Sequence, residues 1–436
     1  MGKNKTRSKS AFKQNSVTAE NKRLSDDGNI NFTFKILSAI GIIIIVSGHC
    51  YNGGVSLMYD WFPKYSYNLA LFVFISGYFY KEKHEEHIFK YIWGRTKRLL
   101  IPAYLWNIVY GIIAFALTQV GYTIAQGKFD LYNLFVMPFI DGESFAYNLG
   151  SWFVYPLFCV YVFNILFRKL LKKVHRGNEY VILAVYLAIG IFGVQYCIWN
   201  PAPKGALLLL FRSMFFLPCF EFGRFYHEKL EKHDNLNSVA YFAIVLGVQL
   251  LLLTFCENLE YTPSKCVKFD NGCVIPYVTA ITGIAFWLRV AKLITPIIKN
   301  KKLVRMISDN TYSIMIHHIF AFMIVKWAFW GLSVITPLFK DFDILKLKST
   351  IWYIYRPNGL NFYCIIYLAA GIFIPILIGT VTHRIFEFMK EHTLKSMQKS
   401  SRTSKVNKIK KCRKIMLFLT GFKVNKKLSC MCIVTK

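Results

Sequence analysis

The repetition of long apolar runs constrains this chain more than any other feature. From about Phe34 to Phe386, runs of roughly 16–25 apolar residues alternate with short polar or basic joints. At about 1.5 Å of rise per residue, each run is long enough to cross about 30 Å of hydrocarbon as a helix. Ten such runs lie near 34–52, 65–80, 99–118, 147–167, 180–199, 205–226, 238–256, 273–291, 311–335 and 361–384. With 55% apolar and only 18% charged residues, the chain departs from soluble proteins, of which about a quarter is charged. Outer-membrane barrel strands alternate polar and apolar residues over about ten positions, and no segment here does so. The predicted fold class is all-α, a polytopic membrane protein of about ten transmembrane helices with the lipid bilayer as a partner.

The 54 Lys and Arg against 23 Asp and Glu give a formal charge of +31. In a soluble chain this would point to nucleic acid, so the distribution of the cations decides. They concentrate in the two tails and in every second joint, as in Lys81, Lys83, Lys90, Arg95, Lys97 and Arg98 after the second run, or Arg168, Lys169, Lys172, Lys173 and Arg176 after the fourth. The intervening joints are poor, holding Lys64, Lys128, Lys204, and Lys265 with Lys268. That is the positive-inside pattern of cytoplasmic loops and not a nucleic-acid face, so both termini are expected to be cytoplasmic. The joint 336–360 carries four basic residues and fits the rule least well; its length suggests an external hydrophobic element, with a re-entrant stretch around Trp352 to Tyr355.

Three regions follow: a basic, disordered arm over 1–31, a membrane domain over 32–388 and a basic cytoplasmic tail over 389–436. The first apolar run follows about thirty polar residues and is long enough to anchor, so no cleavable signal is needed. The opening Met-Gly-Lys-Asn-Lys-Thr fits a myristoylation pattern only formally. Ile415–Phe422 is too short to span and reads as a solvated or membrane-surface segment. Most of the eleven cysteines sit singly in apolar runs as small hydrophobes. Cys266 and Cys273 share an external joint, where a disulfide or two free thiols both fit. There is no Cys-x-x-Cys and no His-Glu-x-x-His, so no metal site is expected.

Candidate site residues stand out as polar groups in apolar runs, because ionisable side chains in a membrane cost several kcal/mol and persist where they work. His49 closes the first run and precedes Cys50-Tyr51-Asn52-Gly53-Gly54. It is either a functional imidazole or an interfacial residue bonded to a loop. Ser76 and Tyr78 flank Gly77 on an aromatic-rich helix, where small residues admit a neighbouring backbone or a ligand. Arg95 and Arg98 precede Pro102 at the mouth of the third run, either as topological anchors or as a grip for the phosphates of a nucleotide-like donor. His317 and His318 share the ninth run. Glu221 lies between two Phe, where a catalytic role and pairing with Arg212 or Arg224 explain it equally well. Trp152 is either a sugar-stacking ring or an interfacial belt residue.

In order along the chain, Ser47-Gly48-His49, Phe74-Ile75-Ser76-Gly77-Tyr78, Arg95-Thr96-Lys97-Arg98-Leu99-Leu100-Ile101-Pro102 and Thr311-Tyr312-Ser313-Ile314-Met315-Ile316-His317-His318 resemble the motifs of the membrane acyltransferase-3 family, the integral-membrane enzymes that O-acylate bacterial polysaccharides and related glycans. Ser151-Trp152-Phe153 and Phe220-Glu221-Phe222-Gly223 fall where that family has comparable segments. The resemblance covers about residues 32–386. It departs at one point: the family carries Arg or Lys eleven residues before the first-run His, and Ser38 stands there, with Lys35 one helical turn earlier.

The resemblance implies transfer of an acyl group, acetyl in the simplest case, from a coenzyme A thioester to a hydroxyl of a cell-surface or lipid-linked glycan. No tightly bound cofactor is implied. His49 would be the general base, with Lys35 as a possible replacement for the missing cation. Arg95 and Arg98 would hold the donor, while Trp152, Ser76, Tyr78 and His318 would contact the substrate. The implied location is the inner (plasma) membrane. Two rival readings are a transporter or flippase of lipid-linked sugars, which predicts inverted repeats not evident in the run lengths, and a catalytically inactive glycan-binding relative, which Ser38 alone favours.

Overall fold

The computed structural model describes residues 31–50, 58, 60–125, 128–175, 178–298 and 301–420, with side chains described outside 173–175 and 393–420. Residues 1–30, which make up nearly all of the basic arm, and 421–436 lie outside the described set, as does the whole of Tyr51–Gly54 after His49. The side chains of Ile415–Thr420 are also outside it.

Every apolar run forms a helix, and the described residues include no strand, only an isolated bridge between Thr262 and Val267. Nine helices among the described residues are long and apolar enough to span a membrane: Phe32–Cys50, Ile88–Gln119, Ala146–Lys172, Glu179–Trp199, Ala206–His233, Ser238–Phe255, Ile275–Ile294, Thr311–Ile335 and Asn361–His392. The run expected over 65–80 folds as the helix Lys64–Tyr78, at 15 residues shorter than the other nine. We number the ten helices as spans one to ten in chain order, with Lys64–Tyr78 as span two. Met1–Ile376 and Leu377–Lys436 are separate compact units, and everything below concerns the first.

Two apolar cores fill this unit. One joins spans two, four, five, six and eight through rings such as Tyr67, Phe74, Phe216, Phe220 and Trp287. The other joins spans one, three and nine to the start of span ten through Val46, Tyr110, Phe322, Phe329 and Tyr367. On the outer faces Leu105, Ile112 and Phe115 of span three, Phe192 of span five and Leu250 and Leu251 of span seven are exposed. So many large apolar groups on the outer faces suit lipid rather than water. The protein is an all-α, multi-pass membrane protein.

Two sequence motifs explain each other here. A Cβ on Gly77 would lie 1.8 Å from the Phe220 carbonyl oxygen, and one on Gly223 would lie 1.9 Å from that of Phe74. Spans two and six therefore cross backbone to backbone through the glycines of both motifs, the close approach that small residues allow. In span three, Pro102 has no N–H to return to the preceding turn, and the helix widens into a π turn over Thr96–Leu100.

Candidate active site

At the end of span one farther from Lys35, spans one, two, four and nine enclose a cavity of about 650 Å³. That volume is typical of a small-ligand site. His49 and His318 lie on its wall with Asn68, Gly150 and Trp152, and two joints close over it: Tyr261 to Ser264, and Trp352 to Ile354 with Arg356. Gly150 permits the approach of span four to span nine, since a Cβ there would sit 2.0 Å from the Met315 carbonyl oxygen.

The two histidines are in contact, with His318 Nε2 and His49 Nδ1 3.1 Å apart, and His318 Nδ1 lies 2.9 Å from the Ile314 carbonyl oxygen. A carbonyl only accepts, so His318 Nδ1 carries the hydrogen in this bond. In the neutral ring His318 Nε2 then accepts, and His49 Nδ1 must donate to it. His49 Nε2 is left with its lone pair, the form a general base requires. The Trp352 ring stacks on His49 with centroids 5.8 Å apart and planes 22° from parallel. The Tyr65 hydroxyl donates to the Gly48 carbonyl at 3.3 Å. Asn68 is buried, and its Oδ1 accepts the Leu69 N–H at 2.7 Å, leaving its NH₂ as the donor on the cavity wall.

Three of the expected site residues thus meet in one cavity: His49, His318 and Trp152. Five do not line it. Lys35 forms an ion pair with Asp309, and fourteen residues separate it from His49, about 21 Å of helix, so its ammonium lies away from the cavity. Tyr78 stacks on Phe34 at 3.8 Å and donates to the Glu231 carboxylate at 2.8 Å. Ser76 returns its hydroxyl to the Phe72 carbonyl at 2.8 Å, within its own helix. Both lie away from the cavity, Tyr78 against Phe34 near the Lys35 end. The Arg95 guanidinium lies over the rings of Tyr161 and Tyr91, at 4.0 and 5.0 Å from their centroids, in cation–π contact with both. Arg98 is exposed.

Other pairings also differ from expectation. Glu221 bonds neither Arg212 nor Arg224; its Oε2 takes Arg168 Nη2 at 2.5 Å, and Arg168 also grips Glu179 through both terminal nitrogens at 3.0 and 2.9 Å. Cys266 and Cys273 are free thiols. The turn closed between Thr262 and Val267 carries Cys266 inward, and a hydrogen bond with Cys197, together with burial, holds its thiol well above the ordinary value. A protonated, buried thiol is a poor disulfide partner. His317 bonds the Tyr110 hydroxyl at 2.8 Å and packs edge-on against Trp106, so of the His pair only His318 serves the cavity.

The sequence reading missed Asn68, Trp352 and the 261–264 turn. For Trp352 there was a signal, the hydrophobic stretch noted in the joint 336–360. Asn68 and the turn are recognisable only once the helices are packed.

The fold and the cavity define a polytopic membrane protein with a small-ligand site inside its helix bundle. The family model described as an acyltransferase domain matches residues 34–380, about four-fifths of the chain, and the chain belongs to that family, acyltransferase-3. Membrane acyltransferase activity follows from that membership. Comparison with curated proteins and with solved structures gives no match.

Proposed function

We propose that the protein is an O-acyltransferase that moves an acetyl group from acetyl-coenzyme A to a hydroxyl of a cell-surface or lipid-linked glycan, in the plasma membrane, with both termini cytoplasmic. The observation that carries this reading is the contact between His49 and His318 on the cavity wall, which supports a neutral His49 with its hydrogen on Nδ1 and a lone pair on Nε2. The acceptor hydroxyl loses its proton to His49 Nε2 as its oxygen attacks the thioester carbonyl. The carbonyl oxygen gains negative charge, which the Asn68 NH₂ stabilises by hydrogen bonding. Collapse of the tetrahedral adduct breaks the C–S bond, and the sulfur takes the proton from His49, so that coenzyme A leaves as the thiol and Nε2 is free again. Positioned proton transfer of this kind contributes about 10²–10⁴-fold.

Both sugar and thioester suit the wall. Trp152, Tyr261, Trp352 and Tyr353 offer apolar faces to a sugar ring, and the lining residues include no carboxylate. On the positive-inside reading, the cavity lies toward the external face and Arg98 toward the cytosol. An extended pantetheine arm is long enough to bridge most of the span between them. Incubating the purified protein in detergent with radiolabelled acetyl-coenzyme A and base-deacylated oligosaccharides from the producing cell's surface polysaccharide tests the proposal. Label is expected in the sugar fraction, and its absence, with uptake of the oligosaccharide into proteoliposomes, would favour a transporter instead.

A further inference from the structure

Arg212 lies within span six, 1% exposed, and its hydrogen bonds go to backbone carbonyls and not to a carboxylate. Its Nη1 donates to the Asp141 carbonyl at 2.6 Å, Nε donates to the Ser264 carbonyl at 2.8 Å, and Nη2 reaches the same Ser264 oxygen. The guanidinium carbon sits 4.8 Å from the centroid of the Trp152 ring. One side chain thus joins three segments: the end of the joint after span three, the start of span four eleven residues on, and the turn after span seven, more than a hundred residues further. Two of them, Trp152 and Ser264, are cavity wall. Gly142 completes the arrangement. Its φ is +84°, and a Cβ there would lie 2.6 Å from Trp152 Cβ and 3.2 Å from Arg212 Nη1.

A buried cation in a membrane span is costly, and carbonyl dipoles compensate it less fully than a carboxylate would. What this arrangement provides is geometry. A guanidinium is planar, with donors on several edges and a flat face for stacking; an ammonium can neither bridge two carbonyls in one plane nor stack in that way. Resting on the reading of the cavity as an acyl-acceptor site, we propose that Arg212 is the positioning residue of the acceptor wall, fixing the Trp152 ring and the 261–264 turn against each other so that a sugar ring fits between them. It touches neither thioester nor base, so its effect falls on acceptor binding.

The test compares Arg212→Lys, which keeps the charge, and Gly142→Ala, which keeps Arg212 but crowds Trp152 and, less closely, the guanidinium, with the unaltered protein. In each, the acceptor KM for the deacylated oligosaccharide is expected to rise about tenfold or more while kcat at saturating acceptor changes less than about threefold. A KM within about twofold of the unaltered value, or a fall in kcat with KM unmoved, overturns the proposal. Should neither variant give a monodisperse protein in detergent, backbone hydrogen exchange over 261–267 in the unaltered protein decides: oligosaccharide slows it if this turn is acceptor wall, and an unchanged rate overturns the proposal. Unaltered protein that transfers no acetyl group sinks the acyltransfer reading, a result distinct from variants that transfer with an unchanged KM.

Discussion

The two ends of the bundle handle buried charge differently. At the Lys35 end, buried cations meet carboxylates: Arg168 bonds Glu179 and Glu221, while Arg224 takes Glu228 at 2.8 Å and lies 3.5 Å from Glu179. At the cavity end, the buried Lys64 has Glu260 as a charged neighbour, but two other buried cations meet carbonyls. Arg212 bonds those of Asp141 and Ser264, and the buried Lys326 donates to Ile351 at 3.2 Å, one residue before the Trp352 that stacks on His49. Ion pairs lock one end of the helices together. At the other, Arg212 and Lys326 hold the joints as walls through direct bonds to carbonyls, with carboxylates such as Glu143 further off.

Breaking the chemistry at the cavity end should have the largest effect. His49→Ala is expected to lower transfer by about 10²–10⁴-fold while leaving insertion and yield intact, because it removes the base but little packing. Quantifying labelled sugar per mole of monodisperse protein checks this, and more than about a tenth of the unaltered rate remaining would exclude His49 as the base.

At the opposite end the corresponding break is one of stability. Arg168→Leu leaves Glu179 and Glu221 buried without their main partner, and loss of one member of a buried ion pair costs about 3–5 kcal/mol. A marked fall in thermal-unfolding midpoint in detergent is expected. Adding Glu221→Gln should restore part of it by removing the uncompensated charge. An unshifted midpoint for Arg168→Leu would mean that the network does not hold this end together.

How far the sequence foretold this contrast depends on range. Run length is a local quantity, and it located all ten helices, although spans three, six and ten run 7–11 residues beyond the expected bounds at one end. His49 was legible because an imidazole ending an apolar run is conspicuous, and His318 and Trp152 because the ordered motifs resemble those of the family. Partner choice was not legible. Glu221 has Arg212 and Arg224 nearby in sequence, yet it pairs with Arg168 of span four, since helix packing and not sequence distance decides which guanidinium arrives. The roles of Ser76-Gly77-Tyr78 were hidden for the same reason: Gly77 is matched by Gly223, and only the crossing of spans two and six reveals a packing motif where the composition equally suggested a ligand wall.

The tautomer argument gives a smaller and more discriminating effect. His318→Phe removes the acceptor that keeps the hydrogen on His49 Nδ1, so part of the protein would carry it on Nε2, where the base cannot work. A loss of about 10–100-fold in kcat is expected, the usual effect of removing a partner that orients a working histidine. His318→Gln, which offers a carbonyl oxygen in roughly the same place, should recover much of that loss. Equal rates for the two variants would show that His318 contributes shape alone.

The smallest effect is expected at Lys35, where resemblance and structure diverge most. The family's cation eleven residues before the histidine is Ser38 here, and Lys35 is the nearest basic residue on the same helix. Its ammonium pairs with Asp309, whose side chain is 52% exposed, and its own side chain is 31% exposed. An ion pair so open to solvent contributes about 0–1 kcal/mol. About 21 Å of helix also separates it from His49, too far for it to stabilise charge developing there. Lys35→Ala should therefore leave kcat/KM within about threefold of the unaltered enzyme. Ser38→Arg sharpens the comparison: if span one needs a cation at the family's position, that change should raise turnover, whereas an unchanged rate would mean that the cavity works without it. A loss of about 2–4 kcal/mol in transition-state stabilisation for Lys35→Ala, the size expected for a charge acting directly on the reaction, would instead place the ammonium at the reacting atoms and require span one to move during the catalytic cycle.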